Sequence, residues 1–224
     1  SPNNQPLSFT RMNQPHTITL SSPLTLPNAF RFPLQNRASR HDLLIGGLIL
    51  FIPFVGWLLN MGHRIVVTHK MLHGDDNPWP AWGHPLKLLK HGLITFAGMV
   101  LYHIPAAITI ILAQQLNSML LYALAAVLWM LGTCVVPGYM TAYCVSYDAR
   151  EVFNITRSIK RVLSARSAYW KAWVITLCAM FTSFLGLLGF GLLFFWTSVW
   201  FWQAAAFCFA NTMTRTSIDL PSTQ

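Results

Sequence analysis

The sequence predicts an all-α membrane protein: a bundle of four transmembrane helices plus a proline-broken helix that either re-enters the membrane or spans it as a fifth helix. Hydrophobic residues make up 54% of the chain and charged residues only 9%, whereas an average soluble domain has about 25% charged residues. The apolar residues form long runs that Lys and Arg flank, which is typical of basic amphipathic helices at a membrane interface. With 224 residues the chain has room for one such domain, which we place at residues 42–215.

Both ends of the chain are predicted to be flexible. Residues 1–41 contain six prolines separated by Asn, Gln, Ser and Thr, a composition too polar to form a core. Residues 216–224 form a short polar tail. We therefore expect a flexible proline-rich arm before the membrane domain and a flexible tail after it.

The first apolar run, Leu43 to Trp57, has a break in its middle. Pro53 lacks a backbone N–H and Gly56 relaxes the chain, so a helix entering this run should bend or stop there. Four Lys or Arg residues precede the run, and four more lie between it and the second run. Since basic loops are retained on the cytoplasmic side, both flanks are expected there. This favours a re-entrant helix over a single tilted span.

The later apolar runs are long enough to span a membrane. The second run covers residues 91–116 and the third covers residues 118–145, and no Lys or Arg separates them. They are therefore predicted to form a hairpin whose tip is not cytoplasmic. The last run, residues 169–213, is long enough for two spans joined by a tight turn. Helix breaks are also expected at Pro105, Pro137 and Gly138.

Two basic segments are predicted to lie on the cytoplasmic surface of the membrane. In residues 58–72 and 148–168, apolar residues recur at helical spacing and Lys, Arg or His occupy other positions. With a net charge of +9 beside apolar runs, the expected partners are anionic lipid headgroups and not nucleic acid. The predicted interface residues are Arg64, Lys70, Trp79, Trp82, Arg157, Lys160, Arg161, Trp170 and Trp173.

Histidines near the first basic segment raise the question of a metal site. His69 and His73 lie four residues apart on a predicted helix, with Asp75 and Asp76 close behind, so a divalent cation is conceivable. The spacing fixes no third ligand, and we interpret these side chains as a solvated interfacial face. The four cysteines show neither metal-ligand nor disulfide spacing. We predict no metal site.

A further histidine, His103, lies inside the second apolar run, where an ionisable residue is costly and often functional. It could be an axial ligand to a haem or chlorophyll, or part of a proton path. We favour a structural role, because Pro105 frees a backbone carbonyl that a neutral imidazole could satisfy, and we predict no cofactor. The sequence contains no P-loop, nucleophile elbow or HExxH motif, which favours a protein that is not an enzyme.

The motifs around the first run resemble those of a family of prokaryotic membrane proteins. Gly46-Gly47 precede an I-P-x-x-G-W core that ends at Trp57, and Gly62-His-Arg-Ile and then Trp79-Pro80-Ala81-Trp82 follow. This pattern resembles the family called domain of unknown function four thousand and thirteen, over about residues 42–215. The family's acidic link is reduced here to Asp75 and Asp76. The resemblance implies a multi-pass bundle in a prokaryotic inner membrane and no known activity, cofactor or catalytic residue.

The expected function is that of a non-enzymatic accessory or scaffold subunit of a larger membrane complex. Its basis is a last hairpin with tryptophans and small residues suited to helix packing: Trp196, Trp200, Trp202 and Ala204 to Ala206. The alternative is a small-solute permease or channel, since proline breaks expose backbone carbonyls inside a bundle. Their convergence on a cavity would favour it, with lining residues His103, Asn60 or Gln203. A pigment- or haem-binding subunit is a lesser alternative.

Overall fold

The computed structural model describes residues 17–218, with side chains as far as Thr214. Within this range the regular structure is helical throughout, and four helices are long and apolar enough to cross a membrane. These findings confirm the predicted all-α membrane fold. The helices are α1 Leu26–Arg31, α2 Arg37–Ile49, α3 Val55–Leu72, α4 Pro85–Leu116, α5 Met119–Ser146, α6 Ala149–Phe153, α7 Ile155–Ser164, α8 Arg166–Phe184 and α9 Leu193–Ile218, with 3₁₀ turns at Phe32–Leu34 and Leu185–Leu188.

The four long helices form two antiparallel hairpins. In the α4–α5 hairpin, the Tyr139 hydroxyl donates to the Thr95 carbonyl over 2.9 Å. In the α8–α9 hairpin, the Thr197 hydroxyl donates to the Ser183 carbonyl over 2.7 Å. The hairpins also meet each other, because the Tyr169 hydroxyl of α8 donates to the Cys134 carbonyl of α5. The bundle therefore consists of two hairpins joined side by side.

The first apolar run also folds into a hairpin. Helix α2 ends at Ile49, the chain turns between Leu50 and Phe54, and α3 begins at Val55. The Asn60 amide donates to the Gly46 carbonyl, and a Cβ at Gly56 would lie 2.0 Å from the Ile49 carbonyl oxygen. The two helices thus run antiparallel from a turn that contains Pro53, and residues 43–57 do not form one straight helix.

Helices α3 and α4 cross at two glycines that leave no room for a side chain. A Cβ at Gly62 would lie 1.8 Å from the Leu88 carbonyl oxygen, and a Cβ at Gly92 would lie 2.0 Å from the Leu58 carbonyl oxygen. Each glycine therefore receives the backbone of the opposite helix. Small residues permit this close approach between membrane helices, and it holds α3 against the bundle.

The segment before α2 is not a flexible arm. Phe32 is buried between Trp79 and Phe207, with ring centroids 4.8 Å from each. The Asn211 amide of α9 donates to the carbonyls of Leu20 and Ser22. The predicted flexible arm is wrong for residues 17–41, because apolar side chains between the prolines cover the end of α9. Residues 1–16 and 219–224 lie outside the described part of the chain, and residues 216–218 belong to α9.

The helix breaks predicted at Pro105, Pro137 and Gly138 are also wrong. Helix α4 continues through Pro105, and α5 continues through Pro137 and Gly138. A proline removes one hydrogen bond, but a neighbouring helix can re-satisfy the disturbed backbone in a membrane protein. Pro137 frees the carbonyl of Thr133, four residues earlier, and Tyr169 of α8 donates to the adjacent carbonyl, that of Cys134. Gly138 serves a different purpose, because a Cβ there would lie 2.8 Å from the Ser158 carbonyl oxygen of α7.

The crossing at Gly62 gives a direct test of the packing. We expect Gly62→Ala to destabilise the folded protein by about 1–3 kcal/mol, since the added methyl overpacks a backbone contact. Gly83→Ala is the matched control, because nothing lies within 4 Å of a Cβ at that position. Thermal unfolding of both variants in one nonionic detergent measures the difference. Equal unfolding midpoints would show that α3 and α4 are not held this closely.

Candidate functional site

The candidate site is built around Arg64, a cation that the fold places inside the bundle. Its side chain is only 8% exposed and lies between α5 and α9. One guanidinium nitrogen, Nη2, lies 3.2 Å from the sulfur of Met140, and the guanidinium carbon lies 4.8 Å from the centroid of the Trp202 ring. These contacts are with soft, uncharged groups. The assignment of Arg64 to the lipid interface is therefore wrong.

Arg64 has no carboxylate partner among the residues that the structure describes. The ion pairs there are formed by Asp42, with His41 and His63, and by Glu151, with Arg157 and Arg161. A guanidinium stays protonated in proteins, so Arg64 is a buried charge without a protein counter-ion. Such a charge is costly unless something pairs with it.

A first cavity of about 300 Å³ lies beside Arg64, between α3 and α9. Gln203 lines it and is 3% exposed, yet neither atom of its amide has a hydrogen-bond partner within residues 17–214. Asn60 lines the same cavity, and its Oδ1 is likewise unpaired. Buried polar side chains are normally hydrogen-bonded. The cavity therefore presents a cation, an amide and a further acceptor that the protein leaves unused.

A second cavity of about 480 Å³ adjoins the first and lies between the two hairpins. Arg64, Met99 and Trp202 line both cavities, so they mark the boundary between them. Most of the second lining is apolar, and it includes Phe96, Val100, Trp129, Met180, Ala205 and Ala206. Both cavities fall in or near the size range of small-molecule sites, about 300–1,000 Å³.

His103 lines the second cavity, but its ring is fully engaged with the protein. Nδ1 donates to the Met99 carbonyl over 2.7 Å, Nε2 lies 3.1 Å from the Thr133 hydroxyl, and the ring packs on Trp129. The imidazole therefore does not reach the carbonyl that Pro105 frees, that of Leu101, but it does bond a neighbouring carbonyl of its own helix. With both nitrogens occupied, the geometry favours the structural role over that of a haem or pigment ligand.

The other histidine candidates lie apart from this site. The rings of His69 and His73 are 4.0 Å apart, and the Nδ1 of His69 donates to the Cys144 carbonyl over 2.7 Å. Partial burial lowers the pKa of His69 from its ordinary value, and that hydrogen bond offsets only part of the effect. No group of three His, Cys, Asp or Glu side chains in the described range is placed to hold a metal ion.

A buried aspartate–histidine pair, which no sequence pattern predicted, ties α2 to α3. Asp42 is fully buried, and its Oδ2 lies 2.8 Å from the Nε2 of His63 and accepts a hydrogen bond from the Ala81 amide over 2.7 Å. Trp82 stacks on the His63 ring and donates to the Asp42 carbonyl. The signal in the sequence was an aspartate at the edge of an apolar run, directly before Leu43.

The remaining interface candidates divide into buried and exposed residues. Trp79 is buried against Phe32, so its assignment to the lipid interface is wrong, and Trp82 is half-buried on His63. Lys70 donates to the Pro80 carbonyl over 3.1 Å. The half-buried residues Arg161 and Trp173 and the exposed residues Arg157, Lys160 and Trp170 lie on or near α7 and α8. For these five residues, contact with the membrane interface stays a prediction.

The chain belongs to the family described as protein of unknown function DUF4013. The family model matches residues 45–195, which is more than half of the chain. The matched region contains Asn60 and Arg64 but ends before Gln203. No curated protein matches the chain, and no solved structure does either. Any function must therefore be argued from the residues of this chain.

The Asp42 pair gives a second test. We expect Asp42→Asn to destabilise the protein by about 1–3 kcal/mol, because an uncharged amide oxygen accepts the two hydrogen bonds of Oδ2 more weakly than a carboxylate oxygen does. Asp76→Asn, on the exposed link after α3, is the matched control and should be neutral. Thermal unfolding of the two variants checks this. An equal loss of thermal stability in both variants would mean that the Asp42–His63 pair does not hold α2 against α3.

Proposed function

We propose that this protein is a non-enzymatic multi-pass membrane protein that binds a small anionic solute at Arg64. The observation that carries the proposal is the buried guanidinium without a carboxylate partner, at the edge of a cavity of about 300 Å³. An ionisable residue inside a membrane bundle marks a functional site by default. An anion is the partner that this charge lacks.

The groups around Arg64 fit an oxyanion. A guanidinium offers parallel N–H donors that match a carboxylate or a phosphate. The Gln203 amide supplies a further donor in the same cavity, and its nitrogen is unpaired in the described structure. The Trp202 ring on the guanidinium stabilises the charge without neutralising it. A bound anion would pair the charge and occupy the unused donors together.

A protein that binds an anion in this way belongs to the class of solute-binding proteins and permeases. Only one of the three prolines supports a transport path, since Pro137 lines the second cavity whereas Pro53 and Pro105 are exposed. The support comes instead from two polar side chains in the first cavity, Asn60 and Gln203. The proposal therefore commits to binding of a solute and leaves its route across the membrane open.

An accessory role in a larger membrane complex is the second candidate. The tryptophans expected to pack against a partner are used within the chain, because Trp196 and Trp200 donate to the carbonyls of Leu44 and Phe30. A different surface favours this role: only 11% of the most apolar stretch of α5 is buried. Purification in a gentle detergent should then bring down partners in fixed stoichiometry, and repeated recovery of the chain alone would count against this candidate.

For the membrane itself, we propose that the basic ends of the helices face the cytoplasm of a prokaryotic cell and that the α2–α3 hairpin re-enters the bilayer from that side. The turn after α2 reaches Phe96, because the rings of Phe54 and Phe96 lie 5.9 Å apart. Phe96 is the twelfth residue of α4, about 17 Å from its start at 1.5 Å per residue. The exposed apolar residues Ile155, Ile159 and Leu163 of α7 would face lipid tails, beside Lys and Arg that meet anionic headgroups.

Anion binding is tested by thermal unfolding in a nonionic detergent, with acetate, benzoate, sulfate and inorganic phosphate as probes. At a concentration of 100 times its Kd, a bound anion should stabilise the protein by about 2.7 kcal/mol. Arg64→Gln should remove this response, and it should raise the stability without added anion because it removes an unpaired charge.

Arg150→Gln is the matched control, since Arg150 is exposed and its loss should leave the response intact. The proposal fails if no anion stabilises the wild-type protein, or if Arg64→Gln responds as the wild type does.

The topology is tested by cysteine labelling in sealed vesicles, in a background where the exposed Cys178 is replaced by serine. Ser21→Cys and Lys160→Cys should react from the same side, and Asn117→Cys at the tip of the α4–α5 hairpin should react from the opposite side. Labelling of positions 21 and 160 from opposite sides would exclude the re-entrant hairpin.

A further inference from the structure

We propose that the ligand of the Arg64 site is an anionic amphiphile, with a carboxylate or phosphate head group at Arg64 and a hydrocarbon chain in the second cavity. This inference rests on the proposed function and deepens it. It is motivated by the position of Arg64, which lines both cavities: the first also contains the amides of Asn60 and Gln203, whereas the second has a more apolar lining. A ligand that fills both spaces must itself have a charged end and an apolar end.

The second cavity offers little to a polar solute. Most of its polar side chains are engaged with the protein: Thr141 donates to the Pro137 carbonyl, His103 donates to the Met99 carbonyl, and Thr133 lies 3.1 Å from the other ring nitrogen of His103. Thr176 and Trp173 also line the cavity, and their polar side-chain atoms have no hydrogen-bond partner within residues 17–214. The remaining lining is mostly aromatic and aliphatic. A small hydrophilic anion would leave this space of about 480 Å³ unused, whereas a hydrocarbon chain would fill it with dispersion contacts.

The second cavity also lies where a membrane amphiphile could enter. It is bounded by the α4–α5 hairpin on one side and the α8–α9 hairpin on the other. Val100 and Trp129 line it and are 46% and 51% exposed, so the rim is open on the apolar face of spanning helices. A chain could therefore slide sideways from the bilayer between the hairpins, with its head group moving toward Arg64.

The test compares two anions that share a head group, butyrate and dodecanoate, bound to the full-length protein in a nonionic detergent. Ala206→Phe places a ring in the second cavity, because Ala206 is a half-buried residue of its lining. We expect this variant to bind dodecanoate about tenfold more weakly and butyrate within twofold of the wild type. Partition of dodecanoate into micelles cancels, because it is the same for both proteins.

Ala126→Phe, on the exposed face of α5, is the matched control and should bind both anions as the wild type does. Val100→Trp, on the open rim, is a second blocking variant in case Ala206→Phe does not fold. Arg64→Gln should bind neither anion. Dodecanoate binding that survives in both blocking variants, or in Arg64→Gln, would overturn the inference.

The outcomes separate the two proposals. If neither anion binds the wild type, the proposed anion site fails with the inference; if both bind and the blocking variants weaken neither, only the amphiphile inference fails. Nanodiscs of zwitterionic lipid identify the source of the head group. Displacement of dodecanoate by added phosphatidylglycerol would indicate a bilayer phospholipid, and displacement by dodecyl phosphate but not by phosphatidylglycerol would indicate a single-chain amphiphile. Either result supports the shared chemistry.

Discussion

The close crossing of α3 and α4 is the constraint on which the rest of the structure depends. The backbone of α4 packs against Gly62, and the backbone of α3 packs against Gly92. Helix α3 therefore lies against the bundle although it carries several polar residues. On a helix, residues two apart face away from each other. Gly62 faces α4, and Arg64 is therefore directed toward α5 and α9. The feature that packs α3 also places a cation in the interior. The Asp42 to His63 pair then ties α2 to the same helix.

The polar groups of the interior fall into two kinds. Asp42, His63 and His103 have hydrogen-bond partners that the fold supplies, as is usual for buried polar groups. Arg64 contacts only the uncharged sulfur of Met140 and the Trp202 ring, and the Gln203 amide has no partner within residues 17–214; both side chains line one cavity. Leaving a charge buried and unpaired costs several kcal/mol, so a fold that only needed to be stable would place an apolar side chain at position 64. The unpaired charge is informative because unpaired atoms of Gln203 and Asn60 line the same cavity, and this combination is the reason to infer a ligand.

Much of the architecture could be predicted from the sequence, because apolar run length and charge placement reflect the membrane directly. The four long helices followed from run lengths, and the turn near Pro53 followed from two residues that disfavour a helix. Tertiary contacts explain the features that the sequence did not predict. Tyr169 of α8 donates to the Cys134 carbonyl, next to the one that Pro137 frees, and Phe32 packs among side chains far away in the sequence. Arg64 lies in a basic segment whose sequence resembles that of an interfacial helix. The local sequence does not show that Gly62 packs this segment against α4 and so buries Arg64.

The most direct test of the central claim is to supply the missing counter-ion from within the chain. The sulfur of Met140 lies 3.2 Å from the Arg64 guanidinium, so Met140→Glu places a carboxylate beside it, and Met140→Gln is the uncharged control of the same length. If Arg64 is an unpaired cation, Met140→Glu should unfold at a higher temperature than Met140→Gln and should no longer be stabilised by added anions. A lower unfolding temperature for Met140→Glu, with the response to anions intact, would contradict the account.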